Sequence, residues 1–172
     1  MSTKVAINGF GRIGRLLARH LKARDGFDLV AINDLTSPDT LGYLFAHDSV
    51  HGRYHGSVEV DGSDLIIDGD RMRVFAERDP AALPWSNLGV DYVFEATGLF
   101  RSREAAGAHL AGGAKKVVIT APGQEVDATF VMGVNNELYD PSKHDVVSNA
   151  SCTTNCLAPV AKVLNETVGI EH

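Results

Sequence analysis

Two spacings of apolar residues alternate along this chain. Short, β-branched runs recur at Lys4-Val-Ala-Ile-Asn8, Leu29-Val-Ala-Ile-Asn33, Asp91-Tyr-Val-Phe-Glu95 and Lys116-Val-Val-Ile-Thr120. Such runs are too continuous for strands with one wet face and predict strands buried on both sides of a parallel sheet. Between them the apolar period lengthens to three and four residues: Leu16, Leu17, His20 and Leu21 within Arg15 to Arg24, then Leu41, Leu44 and Phe45, then Arg103 to Leu110. That spacing predicts helices with one face on a sheet. Ser37-Pro38 supplies a cap and a first helical position for the second helix, and Gly112-Gly113 stops the third. Alternation of this kind predicts an α/β fold with a doubly wound, mainly parallel sheet.

The middle of the chain departs from the alternation. Val58-Glu-Val60, Leu65-Ile-Ile67 and Met72 to Phe75 are separated by Asp61-Gly62 and Asp68-Gly69 and predict a small antiparallel β insert. Pro80 is placed to begin a short helical turn ending near Pro84-Trp85, with Trp85 in the core. Beyond the fourth buried run, Thr129 to Met132 and Asp145 to Ser148 predict further strands. A last helix over Thr153 to Val168 carries Leu157, Val160, Ala161 and Leu164 as an apolar stripe. The division expected is one domain over 1–150 and the start of another over 151–172.

The first strand-to-helix turn carries chemistry. Asn8-Gly-Phe-Gly-Arg-Ile-Gly-Arg15 contains Gly9-x-Gly11-x-x-Gly14 between a strand and a helix, the setting of a Rossmann-type dinucleotide turn. There Gly9 serves the tight turn, Gly11 lets backbone approach a pyrophosphate, and Gly14 allows close helix–sheet packing. The unpaired first amides of the helix and its dipole form an anion site. Three glycines in six residues also suit an ordinary flexible turn, so a second feature is needed. Asp34 supplies it: it ends the second buried run twenty positions beyond Gly14, where an acid is expected to hold the adenosine ribose. Its charge would repel a 2′-phosphate and so favours NAD over NADP. The bland alternative is that Asp34 only stabilises its own turn. Ligands of open sheets lie outside the carboxyl ends of the strands, so Asn8, Asp34, Thr97 and Thr120 are expected to face one crevice.

Composition narrows the classes. The chain has 172 residues, 44% hydrophobic, and a formal net charge of -6. Its 16 Lys and Arg form no basic run, so nucleic acid is not the main partner, and a phosphate must be held locally, by helix-end amides with Arg12, Arg15 or Arg78. The start enters a strand at once and no apolar stretch nears membrane length, which places the chain in the cytoplasm with no membrane partner. His47, His51 and His55 are spaced by four, but Gly52 and Gly56 break any helix there, and they read as loop histidines rather than metal ligands. No metal is expected.

Two cysteines occur, Cys152 and Cys156, too few for a disulfide scaffold or a four-ligand zinc site. Cys152 falls near the start of the last helix. A thiol has a pKa of about 8.5, and a helix N-terminus favours the thiolate, the form that attacks electrophiles. Beside a nicotinamide such a group suggests thiol-dependent aldehyde oxidation. The competing reading is a buried, inert cysteine, which Cys156, one turn further on, fits better.

These segments together resemble the phosphorylating glyceraldehyde-3-phosphate dehydrogenase family over the whole chain: Ile7 to Arg15, Ile32-Asn-Asp34, Asp48-Ser-Val-His-Gly52, Arg78-Asp-Pro80, Glu95-Ala-Thr-Gly98, Ala121-Pro122, Met132-Gly-Val-Asn135 and, most specific, Ser148 to Pro159. The resemblance implies that Cys152 is the nucleophile and that Ser151 and Thr153 hold substrate or incoming phosphate. It implies that Arg12, Ile13, Asp34, Arg78 and Thr120 contact NAD, with Leu35 after Asp34 as in strictly NAD-using members; with the glycine turn and the strand ends, the cofactor site expected is Asn8, Gly9, Gly11, Arg12, Ile13, Gly14, Asp34, Arg78, Thr97, Gly98 and Thr120. It implies oxidation of glyceraldehyde 3-phosphate with inorganic phosphate through a thioester, by a homotetramer when full length. The family's catalytic histidine is expected beyond His172, which does not match that motif. Three readings follow: an NAD-binding half of such an enzyme, inactive alone; a short non-catalytic NAD-binding protein; or a related thiol dehydrogenase, for example one acting on erythrose 4-phosphate.

Overall fold

The computed structural model describes residues 2–171; His172, and the expectation attached to it, lie outside them. Among the described residues, nine strands form one sheet. β1 (Thr3–Asn8) lies at its centre, parallel to β2 (Phe27–Asn33) on one side and to β8 (Tyr92–Glu95) on the other. Outward from β8 run β9 (Lys116–Ile119), β11 (Val146–Ser148) and β10 (Ala128–Thr129), all parallel. The chain thus winds outward from β1 in both directions, and the switch point falls where β1 meets β8. Central strands are buried on both faces, as their unbroken apolar runs require: Val5 and Ile7 pack with α1 (Arg12–Lys22) and α2 (Pro38–Ala46) through Ala18, Leu21, Leu41 and Phe45, while Ala6 meets Trp85, Val90 and Val93 on the other side.

The predicted antiparallel insert is present, and it continues the main sheet. β5 (Val58–Asp61), β6 (Asp64–Ile67) and β7 (Asp70–Phe75) form a meander whose last strand runs parallel beside β2. Asp68 and Gly69 join β6 to β7 with φ of 52° and 83°, the double left-handed turn that matches strand twist. Three predictions shift. The first helix begins at Arg12, not Arg15, because Gly11 already caps it, so Gly14 sits within the first turn. A hairpin of β3 (His47–Asp48) and β4 (Gly52–Arg53) follows α2; Asp48 Oδ1 accepts the amides of Val50 and His51 and closes it. The strand expected over Thr129 to Met132 shrinks to Ala128–Thr129, because Asn135 Oδ1 captures the amide of Val131 and turns the chain.

On the far side, Pro80–Ala82 makes a 3-10 turn leading to α3 (Trp85–Leu88), and α4 (Arg103–Ala111) packs beside β9. Trp85 is fully buried, as predicted. The final helix, α5 (Cys152–Thr167), differs from the others in having no buried residue.

Candidate functional site

The glycine turn is built as the spacing predicts. Gly9 takes φ 93°, and a Cβ there would lie 2.6 Å from the backbone nitrogen of Thr97. A Cβ on Gly14 would lie 2.1 Å from the carbonyl oxygen of Gly9, so helix and turn are in direct backbone contact. A Cβ on Gly11 would meet nothing within 4 Å, which leaves an open approach to the backbone. Gly11 caps α1 without a side-chain bond, so the first amides of that helix remain available to an anion. A closed turn at Gly9 and Gly14 with an opening at Gly11 is what a dinucleotide pyrophosphate needs.

A cavity of about 320 Å³ lies beside this opening, lined among others by Asn8, Gly9, Gly11, Asp34, Arg78 and Thr97. The Asp34 carboxylate accepts the amide of Phe10 at 2.8 Å and that of Thr36 at 2.9 Å. It therefore ties the glycine turn to its own turn, and the two readings of this residue coexist in one side chain. Asn8 lines the cavity yet is 1% exposed, its side chain committed to Glu95 and Asn33.

The expected single crevice is divided. Thr120 lines a second cavity of about 550 Å³ together with Ile13, Ser151 and Cys152, while Asn8, Asp34 and Thr97 line the first. The opening turn of α1 borders both, giving Gly11 to one and Ile13 to the other. The division follows the sheet: Asn8, Asp34 and Thr97 lie at the ends of β1, β2 and β8, and Thr120 and Ser148 at the ends of β9 and β11, the next strands outward from β8. Arg12, Gly14, Gly98 and Thr153 line neither cavity. Gly14 is buried against Gly9; Arg12, Gly98 and Thr153 are exposed.

The route to Cys152 runs through a constrained turn. Ser148 Oγ donates to the carbonyl of Ala121 and accepts the amides of Gly123 and Ala150. Ala150, 6% exposed, holds φ 59°, a left-handed conformation unusual for alanine. Ser151 then caps α5 by accepting the amide of Thr154 at 2.9 Å, and its hydroxyl lies 2.8 Å from that of Thr153. Cys152 is the first helical residue and exposed. Cys156 is also exposed, against the expectation of a buried thiol, because the face of α5 that carries it has no covering layer.

Sequence reading missed a buried polar network under the first cavity. Glu95, 1% exposed, accepts from Asn8 Nδ2 at 2.5 Å, from His109 Nε2 at 3.0 Å, and from both the amide and the hydroxyl of Thr97. The signal was the polar residue ending each buried run, Asn8, Asn33 and Glu95; nothing in a helical pattern distinguishes His109. Arg78 shares the first cavity with Glu77, whose amide and carbonyl pair with the side chain of Asn33. Among the described residues no cluster of three or more His, Cys, Asp or Glu is arranged to hold a metal, and no helix is long and apolar enough to cross a membrane.

Comparison with known proteins agrees with this geometry. Residues 3–103 match the family model described as glyceraldehyde 3-phosphate dehydrogenase, NAD binding domain, and residues 151–172 match that of the C-terminal domain of the same enzyme. Glyceraldehyde-3-phosphate dehydrogenase of Kitasatospora aureofaciens is 57% identical over 171 residues, 99% of this chain and 52% of the relative. That of Geobacillus stearothermophilus is 55% identical over 170 residues, 99% of this chain and 51% of the relative. The chain thus spans about half the length of the curated relatives it matches. With a family model covering most of its length and a glycine turn shaped for a dinucleotide, the chain belongs to the NAD-binding domain family of the glyceraldehyde 3-phosphate dehydrogenases.

Proposed function

We propose that this chain carries the cofactor cradle and the nucleophile of a phosphorylating, NAD-dependent glyceraldehyde 3-phosphate dehydrogenase. One observation carries the reading: α1 presents its glycine turn to one cavity and Ile13 to the cavity that holds Cys152, so a dinucleotide laid along the turn is directed toward the thiol. The α1 amides and Gly11 would hold the pyrophosphate, Asp34 the adenosine ribose, and Arg78 the adenine side of the same cavity; Ile13 and Thr120 would bound the nicotinamide. NAD, when bound, supplies the hydride acceptor.

The Cys152 sulfur adds to the aldehyde carbon, which sets the former carbonyl oxygen and a hydrogen on one carbon bound to sulfur. Loss of that hydrogen as hydride leaves a thioester on Cys152. Inorganic phosphate then displaces the sulfur and departs with the acyl group. The hydroxyls of Ser151 and Thr153, side by side at the helix start, would hold the phosphate. Among the described residues none makes a hydrogen bond to the Cys152 sulfur, so a base is not in place to draw off its proton. This favours NAD binding without efficient turnover by the chain alone. The whole enzyme, on this reading, is a cytoplasmic homotetramer.

The test is calorimetric titration of the chain with NAD, and alkylation of its thiols with and without the cofactor. NAD is expected to bind weakly and to slow modification of Cys152 but not of Cys156. No saturation at about millimolar NAD, or equal protection of both thiols, overturns the proposal.

A further inference from the structure

Glu95 is a buried carboxylate whose hydrogen-bond partners, among the described residues, include no Lys or Arg. Its Oε1 accepts the Thr97 amide at 2.8 Å and the Thr97 hydroxyl; its Oε2 accepts Asn8 Nδ2 at 2.5 Å and His109 Nε2 at 3.0 Å. These fill the roughly four acceptor positions of a carboxylate. The imidazole is fixed from behind: the Trp85 indole, a donor only, gives its N–H to His109 Nδ1 at 3.0 Å, so Nε2 carries the proton and donates to Glu95. Asn8 Nδ2 and His109 Nε2, 3.3 Å apart, are then two donors converging on one oxygen.

What Glu95 grips is the support of the glycine turn. Asn8 immediately precedes Gly9, and the Thr97 backbone is the surface on which Gly9 rests, since a Cβ there would stand 2.6 Å from Thr97 N. One carboxylate therefore fixes both the entry to the turn and its floor. The chain of bonds continues from Asn8 Oδ1 to Asn33 and on to the backbone of Glu77, next to Arg78.

We infer that Glu95 and His109, anchored on Trp85, are positioning residues of the cofactor cradle, holding Asn8 and Thr97 so that the Gly9 turn keeps the shape that receives the dinucleotide. Neither residue needs to touch the ligand. The carboxylate cannot be replaced by its amide, because glutamine has one acceptor oxygen, and whichever way it turns, its NH2 faces either the Thr97 donors or those of Asn8 and His109. His109 can be replaced by glutamine, which offers an N–H toward Glu95 and an oxygen toward Trp85.

This inference rests on the NAD reading, so its test has a ligand-free arm. In NAD titrations of the full chain, Glu95→Gln is expected to weaken binding about tenfold and His109→Leu about fivefold, the scale of one buried donor or acceptor left unpaired. His109→Gln is expected to return to within about twofold of the parent. A merely stabilising role would lower the melting temperature of His109→Leu without changing the affinity of its folded form. Equal affinity of the folded Leu and Gln variants overturns the inference, and this pair decides even if Glu95→Gln does not fold. Without NAD, the Gly9 and Thr97 amide resonances should move in His109→Leu and return in His109→Gln. Unmoved resonances overturn the inference whatever the cofactor result, whereas resonances that move in His109→Leu and return in His109→Gln, with a parent chain that never saturates with NAD, refute only the NAD reading.

Discussion

The two cavities along the carboxyl ends of the strands are built in opposite ways. Around the glycine turn, side chains that look ligand-binding in the sequence are locked into the protein: Asn8 on Glu95 and Asn33, Thr97 on Glu95, Asp34 on Phe10 and Thr36. Backbone touches backbone there, with Gly14 on Gly9 and Gly9 on Thr97. Around Cys152 the walls are apolar, the thiol has no hydrogen-bond partner among the described residues, and the helix that carries it leaves Leu157 68% and Val163 58% exposed. The first region is finished within this chain. In the second, the Cys152 thiol and the Ser151 cap beside it are presented on a helix whose apolar face is exposed. On the proposed reading, rigidity falls on the side that receives the cofactor and openness on the side of the thiol.

The sharpest way to break this contrast is Gly14→Ala. The new methyl would stand 2.1 Å from the Gly9 carbonyl oxygen and 3.1 Å from the Ile7 side chain, with backbone as the main obstacle. We expect a loss of about 3 kcal/mol, the upper range of overpacking, read from a denaturant midpoint, together with loss of NAD binding. A variant as stable as its parent would show that α1 does not rest on the turn.

Next in size is Asp34→Gly, which removes the acceptor of the Phe10 and Thr36 amides as well as the charge at the cavity wall. NAD affinity is expected to fall about tenfold, the scale of a lost charged acceptor, and discrimination against NADP to fall with it. Calorimetry with both cofactors checks this. An unchanged preference would leave Asp34 with its turn-holding role alone.

The contrast also explains what could be read in advance. The alternation of strands and helices, the β insert, the buried Trp85 and the glycine turn were legible because each depends on local spacing: β-branched runs, Asp-Gly pairs, Gly9-x-Gly11-x-x-Gly14. The Glu95–His109–Trp85 network was not, because its members are 10 to 24 positions apart and meet only through packing of α4 and α3 against the sheet. Division of the crevice was hidden for the same reason: strand ends share a rim by topology, but which side of α1 each faces is a tertiary fact. Cys156 misled because an apolar stripe predicts burial only when something covers it. The shortened strand at Ala128–Thr129 turned on one side chain, Asn135, outcompeting a neighbouring strand for the Val131 amide.

Acid should separate the two regions more gently. Asp127 accepts the amides of Asp145 and Val146 and pairs with Arg103, pinning β11, the strand that leads to Cys152. Burial pushes its carboxyl up, but the Val146 amide, Arg103 and the Asp145 amide outweigh that and hold it below the usual range. A depressed carboxyl contributes stability that is present above its ordinary value, near 3.8, and is lost as pH falls below it. Hydrogen exchange followed from neutral pH downward should therefore show β11 and the turn at Ala150 opening before β1 and β2. Simultaneous opening would mean that Asp127 is not what holds this edge.

The smallest expected effect is the most telling about α5. Leu157→Lys and Val163→Glu place charges on a helix face that already meets solvent, so the fold should lose no more than about 0.5 kcal/mol, the usual range for surface positions. The same chemistry at Ile7 or Ile32, each fully buried between sheet and helix, would unfold the domain. Exposed apolar residues in a row still have a consequence: Leu157, Val160, Val163 and Leu164 form a patch that water disfavours, and the parent chain should self-associate as concentration rises. Light scattering across a dilution series should show association in the parent and its loss in the charged pair, at nearly unchanged melting temperature. A parent that stays monomeric, or a charged pair that melts early, would mean that α5 is covered in solution and that the second cavity is as finished as the first.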